Sequence, residues 1–280
     1  MADHLRLAGN TIATPELNAL EAIQFFRELG LDGVDFLCDD ASGVGIEMDG
    51  SARRELRAAI DESGLEAGCL RQYMRELHVS DAALRQAHID GLKRHIDLAV
   101  DLGYGAVRLF AGRSVPDDVW TEHWQRLVEG ITEAGIHAAS AGVMISIENH
   151  HGTMTDSAAR TMRAVREAGL SSVGVGYDQA NLTGLGQEPW SVALPLQAEQ
   201  IVAVDVKDID FGGPHGAKRC RPLGEGIVPW PEIIPALLAT GYNGLLSLEY
   251  ERKWHPDDLP AARIGLPREI AYLRGLSLDR

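Results

Sequence analysis

A repeated alternation between short branched-apolar runs and longer helical segments constrains this chain more than any other feature. Strand-like runs occur near residues 6–13, 33–37, 66–71, 106–112, 143–149, 173–178, 201–208 and 245–251. The segments between them space apolar residues three or four positions apart, which is typical of an amphipathic helix. Several of these segments end in ELG, ESG, EAG or ATG, and such a glycine is expected where a helix stops just before a strand.

Eight such alternations predict one α/β domain over residues 1–280, a single (β/α)8 TIM barrel. Parallel strands need crossover helices, and eight strands close into a barrel of about 250 residues. A doubly wound open sheet is the structural alternative. The first predicted strand, however, is followed by GNTIAT and not by the glycine-rich GxGxxG turn of dinucleotide-binding sheets.

Charge, hydropathy and cysteine content disfavour several classes of protein. The net charge of −15 repels a phosphate backbone, so we expect no nucleic-acid partner. No window approaches about 18 uninterrupted apolar residues and no basic-apolar signal pattern is present, so we expect no membrane span and no secretory leader. The three widely spaced cysteines, Cys38, Cys69 and Cys220, indicate reduced thiols and a cytoplasmic protein.

Acidic residues stand at the ends of four successive predicted strands. They are Glu148 in SIENHHG, Asp178 in GYDQANL, Asp205 in VDVKD and Glu249 in LSLEYE. The carboxyl ends of barrel strands meet at one rim, where converging carboxylates repel one another unless a cation is bound. An oxygen-rich set favours Mg²⁺ or Mn²⁺. The alternative is that single acids cap the following helices. We expect Glu251 to face solvent, and His150 and His151 to have structural roles.

Five segments resemble a known family. SIENHHG (146–152), VGVGYDQANL (173–182), IVAVDVKD (201–208), PLGEGIVPW (222–230) and GYNGLLSLEYE (241–251) match, in order and separation, the sugar phosphate isomerase/epimerase superfamily. These proteins are xylose isomerase-like (AP endonuclease family 2) barrels, and the resemblance runs over nearly the whole chain. Because epimerases, isomerases, dehydratases and some carbon–glycoside-cleaving enzymes share these segments, the resemblance leaves the reaction open.

The resemblance implies that Glu148, Asp178 and Glu249 bind a metal, and that the two glutamates also exchange protons with the substrate. The fourth ligand of the family is commonly a histidine, whereas this chain has Asp205 at the matching position. We expect Asp205 to be the fourth ligand, which makes the set all-carboxylate and favours Mn²⁺ or Mg²⁺ further. Asn181 stands where some relatives have a histidine.

Polar and basic residues near the same rim are candidates for binding the substrate. Arg71 and Arg108 lie on the third and fourth predicted strands, and Lys207 either bridges to a carboxylate or contacts a substrate oxygen. His215 and Arg219 belong to the glycine-rich segment GGPHGAKRCRPLGEG, where basic residues bind an anionic or hydroxylated group or simply face solvent. The predicted substrate-binding set is Arg71, Arg108, Asn181, Lys207, His215 and Arg219.

These expectations describe a divalent-metal-dependent sugar or polyol isomerase or epimerase that transfers protons through a metal-stabilised enediolate. A dehydratase or lyase acting on a keto-sugar or keto-inositol with the same metal site is the first alternative. A non-catalytic auxiliary barrel with a degenerate site is another, and a DNA hydrolase is disfavoured by the negative charge. We expect a small-molecule partner and, because such barrels often pair, a homo-oligomer.

Overall fold

A computed structural model of the 280-residue chain describes residues 5–186 and 188–276. Its main sheet is parallel throughout and contains the strand positions that the sequence predicts. We number the barrel strands β1 (Leu7–Asn10), β2 (Gly33–Asp35), β3 (Glu66–Ala67 and Cys69–Leu70), β4 (Ala106–Leu109), β5 (Met144–Glu148), β6 (Val173–Asp178), β7 (Ile201–Val206) and β8 (Leu246–Leu248). Each pairs with its neighbours in chain order, and β8 pairs with β1.

Strand β3 is divided at Gly68, and its two pieces form the two ends of the sheet order. The first piece pairs with β2 and the second with β4, so the sheet closes except for this single break. At the break, the Asp35 carboxylate accepts a hydrogen bond from the Cys69 amide at 2.8 Å. A side chain on Gly68 would collide with that carboxylate, which explains the glycine. The prediction of a (β/α)8 barrel is confirmed.

Helices flank the barrel between its strands. Within the described residues they are α1 (Ala19–Glu28), α2 (Gly50–Ser63), α3 (Ala82–Leu102), α4 (Asp117–Ala141), α5 (Ala158–Ala168), α6 (Gln179–Gly186), α7 (Trp190–Gln197), α8 (Trp230–Ala239) and α9 (Ala262–Leu276). The glycine stops predicted from sequence are present. Gly64, Gly103 and Gly169, for example, follow helices with φ of 77°, 83° and 64°, a conformation that favours glycine. None of the helices in the described part of the chain combines the length and apolar character needed to cross a bilayer.

A short antiparallel hairpin follows β7 and pairs Asp208–Asp210 with Arg219–Arg221. Asp208 anchors the loop beyond it, because its carboxylate accepts backbone hydrogen bonds from Ile209, Gly224, Gly226 and Val228 at 2.9–3.0 Å. This loop leads into α8, where Trp230 is fully buried and donates to the Lys207 carbonyl at 2.9 Å. The segment PLGEGIVPW is therefore a turn fixed to the end of β7, next to the acidic rim.

Candidate active site

Four carboxylates converge at the carboxyl ends of β5 to β8. Glu148 and Asp178 are the last residues of β5 and β6, Asp205 lies in β7, and Glu249 directly follows β8. One oxygen from each lies within 4.8 Å of the others, and all four side chains are buried. The strand-end pattern in the sequence therefore corresponds to a real cluster in space, which we call the carboxylate cluster.

The Lys207 ammonium lies inside this cluster. Its Nζ is 2.6 Å from Glu249 Oε2, 2.9 Å from Asp178 Oδ2 and 3.2 Å from Glu251 Oε1. Lys207 follows Asp205 by two positions, and side chains two residues apart in a strand point to the same side. The expectation that Glu251 faces solvent is wrong: only 12% of its side chain is exposed, because it too binds Lys207.

Arg71 holds Asp205 from the opposite side of the barrel interior. Its two terminal nitrogens bind the two carboxylate oxygens of Asp205, with Nη1 2.9 Å from Oδ2 and Nη2 bonded to Oδ1. Nη2 also contacts Asp35 Oδ2 at 2.8 Å and Ser247 Oγ at 3.0 Å. Burial opposes a charge on Arg71, but Asp205 and Asp35 raise its pKa well above the usual value. The bidentate geometry indicates an ionised pair, although burial raises the pKa of Asp205 more than Arg71 lowers it.

Glu148 is held more loosely. Arg108 Nη1 lies 3.4 Å from Glu148 Oε2, and Asn181 Nδ2 donates to Glu148 Oε1 at 3.1 Å and to Asp178 Oδ2 at 2.6 Å. The Arg108 guanidinium stacks on Phe110, 4.0 Å from the ring centre, and its Nε has no hydrogen-bond partner among the described residues. Arg108 and Asn181 thus position Glu148 through long or shared contacts, and none of them is a tight ion pair.

Burial and the neighbouring cations give the two glutamates opposite proton affinities. Burial raises the pKa of Glu148 well above its usual range, and the distant Arg108 offsets this only in part. Burial also acts on Glu249, but Lys207, Arg71 and Arg108 together lower its pKa to about 2. Burial raises the pKa of Asp178 to about 7 despite Lys207. Glu148 therefore holds a proton more readily than Glu249 does, and such a difference is typical of an acid and base pair.

The donor set of the carboxylate cluster fits a divalent cation. Its acids, together with Asp35 and Glu251, outnumber the adjacent bases Arg71, Arg108 and Lys207. Burial raises the pKa values of Glu148 and Asp178, and the neighbouring carboxylates Glu249 and Asp205 raise them further. A cation would relieve this repulsion, and hard oxygen donors suit Mg²⁺ or Mn²⁺.

The remaining predicted substrate contacts lie apart from the cluster. His215 is exposed in a short turn with a φ of 57°, and Arg219 forms two hydrogen bonds with Asp210 on the paired strand of the hairpin, at 2.6 and 2.9 Å. Within the described residues, no hydrogen bond or ion pair joins either side chain to the four carboxylates. Their role in substrate binding stays a prediction.

His150 was given a structural role from sequence, yet it lies at the rim beside the cluster. Its ring is 4.4 Å from the Phe110 ring, and its Nδ1 is 2.6 Å from the His151 carbonyl oxygen. A carbonyl only accepts, so Nδ1 carries the hydrogen and Nε2 is unprotonated in the neutral ring. Burial, and next Lys207, lower the pKa of His150 to about 2, which keeps the ring neutral. Its position two residues after Glu148 was the signal for this placement in the sequence.

Fold and site together define a class: α/β barrels with a cluster of acidic residues at the carboxyl ends of their strands that could hold a cation. The chain belongs to the xylose isomerase-like TIM barrel family, whose model matches residues 23–274.

Similar proteins include both dehydratases and epimerases. The chain is 27% identical over 247 residues to a 3-dehydroshikimate dehydratase of Pseudomonas putida, a match that covers 85% of this chain and 37% of that protein. It is 24% identical over 144 residues to an inosose dehydratase of Geobacillus thermodenitrificans, covering 47% and 48%. The chain therefore spans less than half the length of these curated relatives. The structure of a 3-keto-D-glucoside 4-epimerase, YcjR, from E. coli superposes with a TM-score of 0.79 at 16% identity, covering 97% and 99% of the chains.

Proposed function

We propose that this protein is a divalent-metal-dependent enzyme that transfers protons at a carbon next to a carbonyl group in a sugar or polyol. Isomerisation or epimerisation is the outcome that we favour. The observation that supports it is the convergence of two buried glutamates on one cluster, in which Lys207 lies 2.6 Å from Glu249 and Arg108 lies 3.4 Å from Glu148. A cluster of this kind can remove a proton with one group and return a proton with the other.

In this proposal Glu148, Asp178 and Glu249 hold the metal, and Asp205 completes the cluster around them. Bound Mn²⁺ or Mg²⁺ would supply Lewis-acid polarisation of the substrate carbonyl. Glu249, kept ionised by Lys207 and Arg71, removes the proton from the adjacent carbon. Glu148, whose pKa is raised by burial, returns a proton from the other side. Arg108, Asn181 and Lys207 are close enough to these glutamates to orient the substrate hydroxyl groups.

Solvent deuterium exchange tests this assignment directly. We expect the Mn²⁺-loaded protein to incorporate solvent deuterium into a ketose or cyclic keto-polyol at the carbon next to the carbonyl. Glu249→Gln or Glu148→Gln should reduce the rate by about 10²- to 10⁴-fold, the usual contribution of a general acid or base. Glu122→Gln, at an exposed glutamate of α4, is the matched control. Exchange that proceeds undiminished in the metal-loaded Gln variants would refute the proposed roles of the glutamates.

A dehydratase is the second candidate, because both curated relatives found by sequence similarity are named as dehydratases. Proton removal next to the carbonyl is then followed by loss of a β-hydroxyl, and Glu148 supplies the proton that leaves with the water. Incubation with 3-dehydroshikimate and with an inosose distinguishes the two reactions. A new ultraviolet absorbance indicates an unsaturated product, whereas epimerisation gives an isomer of unchanged mass.

Measuring the metal content of the purified protein distinguishes the non-catalytic alternative from the epimerase and dehydratase hypotheses. A purified protein with a stoichiometric divalent ion that the Asp178→Asn variant lacks supports a working centre. A protein that binds neither Mn²⁺ nor Mg²⁺ and exchanges no substrate proton supports an auxiliary barrel.

A further inference from the structure

We propose that Asp205 is the counter-ion of Arg71 and not a metal ligand, so that the metal is held by the three carboxylates Glu148, Asp178 and Glu249. This inference rests on the proposed function, because it concerns how that site holds its metal. It also replaces the expectation from sequence that all four carboxylates are ligands. In this assignment Arg71 is shared by Asp205 and Asp35, and it is Arg71 that compensates the charge of Asp205.

Both oxygens of Asp205 are already engaged. Arg71 Nη1 donates to Oδ2 at 2.9 Å and Nη2 binds Oδ1, which is the parallel two-bond arrangement of a strong guanidinium–carboxylate pair. The two side chains are 2% and 4% exposed. At that burial neither ion gains solvation from water. Among the described residues, Arg71 without Asp205 would keep only the carboxylates of Asp35 at 2.8 Å and Glu249 at 3.6 Å, and without Arg71 the Asp205 carboxylate would lose its guanidinium partner. Ligation by Asp205 would have to compete with this two-bond pairing to a guanidinium, whereas Glu148 has a 3.4 Å contact with Arg108 and a 3.1 Å bond from Asn181. Asp178 is bound by the backbone and side-chain nitrogens of Asn181 and by Lys207, each through one bond.

Asp205 also lies two positions deeper than Glu249 along the paired strands β7 and β8, and it is level with Asp178 of β6 in the sheet register. Lys207 is two residues beyond Asp205 and Glu249 is two residues beyond Ser247, a step of about 6.6 Å along each strand toward the mouth. In the sheet register, Asp205 pairs with Ser247 of β8. Asp205 therefore belongs with Arg71, Asp35 and Ser247 in a lower polar layer joined by hydrogen bonds.

The Arg71–Asp205 pairing determines the net charge of the side chains around the metal site. With Asp205 neutralised by Arg71, the site offers the charge of the three other carboxylates and Lys207. Removing the Asp205 charge alone releases the positive charge of Arg71 toward the metal, even if Asp205 never touches it. A single substitution at Asp205 thus weakens metal binding under either hypothesis and cannot separate them, but a double substitution that keeps the net charge can.

The test compares Asp205→Asn, Arg71→Gln, the double variant Arg71→Gln/Asp205→Asn and the ligand control Asp178→Asn. Mn²⁺ affinity is measured by calorimetry after chelator treatment of each protein. We expect Asp178→Asn to lose at least about 100-fold in affinity, and Asp205→Asn to lose less. The double variant, which has the net charge of the wild-type protein, should recover to within about threefold of it. A double variant as weak as Asp178→Asn would overturn the assignment, since a lost ligand is not restored by removing Arg71.

Unfolding midpoints of the metal-free proteins supply the second readout. If Asp205 and Arg71 are mutual counter-ions, the double variant lowers the urea midpoint by less than the sum of the two single variants. Additive losses would overturn the pairing. These outcomes are separable from failure of the proposed function: a wild-type protein that binds neither Mn²⁺ nor Mg²⁺ refutes the metal centre, and the midpoints alone then decide the Arg71–Asp205 pairing.

Discussion

Replacing Glu269 by Gln should remove part of the pH dependence of this protein's stability. Glu269 lies on α9 and is 3% exposed; its Oε1 accepts the Leu223 amide at 3.2 Å. Its Oε2 is buried and has no hydrogen-bond partner among the described residues. Burial raises the pKa of this carboxyl to about 8, and the nearby Asp208 adds to the shift. The folded protein therefore holds the Glu269 proton more tightly than the unfolded chain does.

The sign of the effect follows from linkage. Because the pKa is higher in the folded state, the contribution of Glu269 to stability is fully present below the ordinary pKa of a glutamate and is lost as the pH rises through about 8. Between pH 5 and pH 8 the loss amounts to about 3 kcal/mol in the free energy of unfolding. Glutamine keeps the bond to the Leu223 amide but buries an amide group without a partner, which costs about 1 kcal/mol at any pH.

The two stability curves should meet near pH 5 and diverge above it. At pH 5 we expect Glu269→Gln and the wild-type protein to be about equally stable, because about 1 kcal/mol of the Glu269 contribution is already lost there, and at pH 8 we expect Glu269→Gln to be more stable by about 3 kcal/mol. Urea unfolding at pH 5, 6, 7 and 8, with chelator present to remove metal effects, measures the difference. Glu122→Gln on the surface of α4 is the control and should give a constant difference near zero. A constant difference for Glu269→Gln as well would refute the reasoning, because it would mean that Glu269 ionises equally in both states.

Three further predictions concern the rim. Asp208→Asn replaces a carboxylate that accepts four backbone hydrogen bonds, so we expect a loss of about 2–4 kcal/mol in unfolding free energy and faster proteolysis within residues 222–230; unchanged cleavage would contradict the anchoring role. His150→Gln removes a ring that packs 4.4 Å from the Phe110 ring on which Arg108 stacks, so kcat should fall by about tenfold through misplacement of Arg108, whereas His137→Gln on α4 should leave kcat unaltered. Lys207→Gln removes a cation that lowers the pKa of Glu249, so the acidic limb of the pH–rate profile should move to higher pH; a limb that stays in place would assign it to another group.

The local features of the barrel could be predicted from sequence because they depend on neighbouring residues. A glycine stop such as that of Gly103 reflects the backbone conformation of one residue, and strand positions follow from short apolar runs. The clustering of Glu148, Asp178, Asp205 and Glu249 was likewise accessible, because parallel strands bring their carboxyl ends to one rim. The two-position step from Glu249 to Glu251, just past β8, also predicts that both side chains point to the same side of the strand.

The partners of these acids could not be predicted in the same way. Arg71 and Asp205 are 134 positions apart, and nothing in either segment shows that one side chain crosses the barrel to the other. The same limit applies to Lys207, whose two sequence-based interpretations were a carboxylate bridge and a substrate contact. Its close approach to Glu249 depends on the relative positions of β7 and β8, which are fixed by the packing of the whole barrel.

The break in β3 is a place where local opening of the barrel can be measured. Asp35 binds the Cys69 amide at the break with one oxygen and Arg71 with the other, and Arg71 continues to Asp205 in β7. Hydrogen bonds thus connect the break in β3 to Asp205 in the carboxylate cluster through Asp35 and Arg71. Amide hydrogen exchange at Cys69 should therefore quicken when Asp205 is altered, even though the two residues share no direct contact. The exchange rate of the Cys69 amide proton would then measure how stably Asp205 is held in β7, on the other side of the barrel.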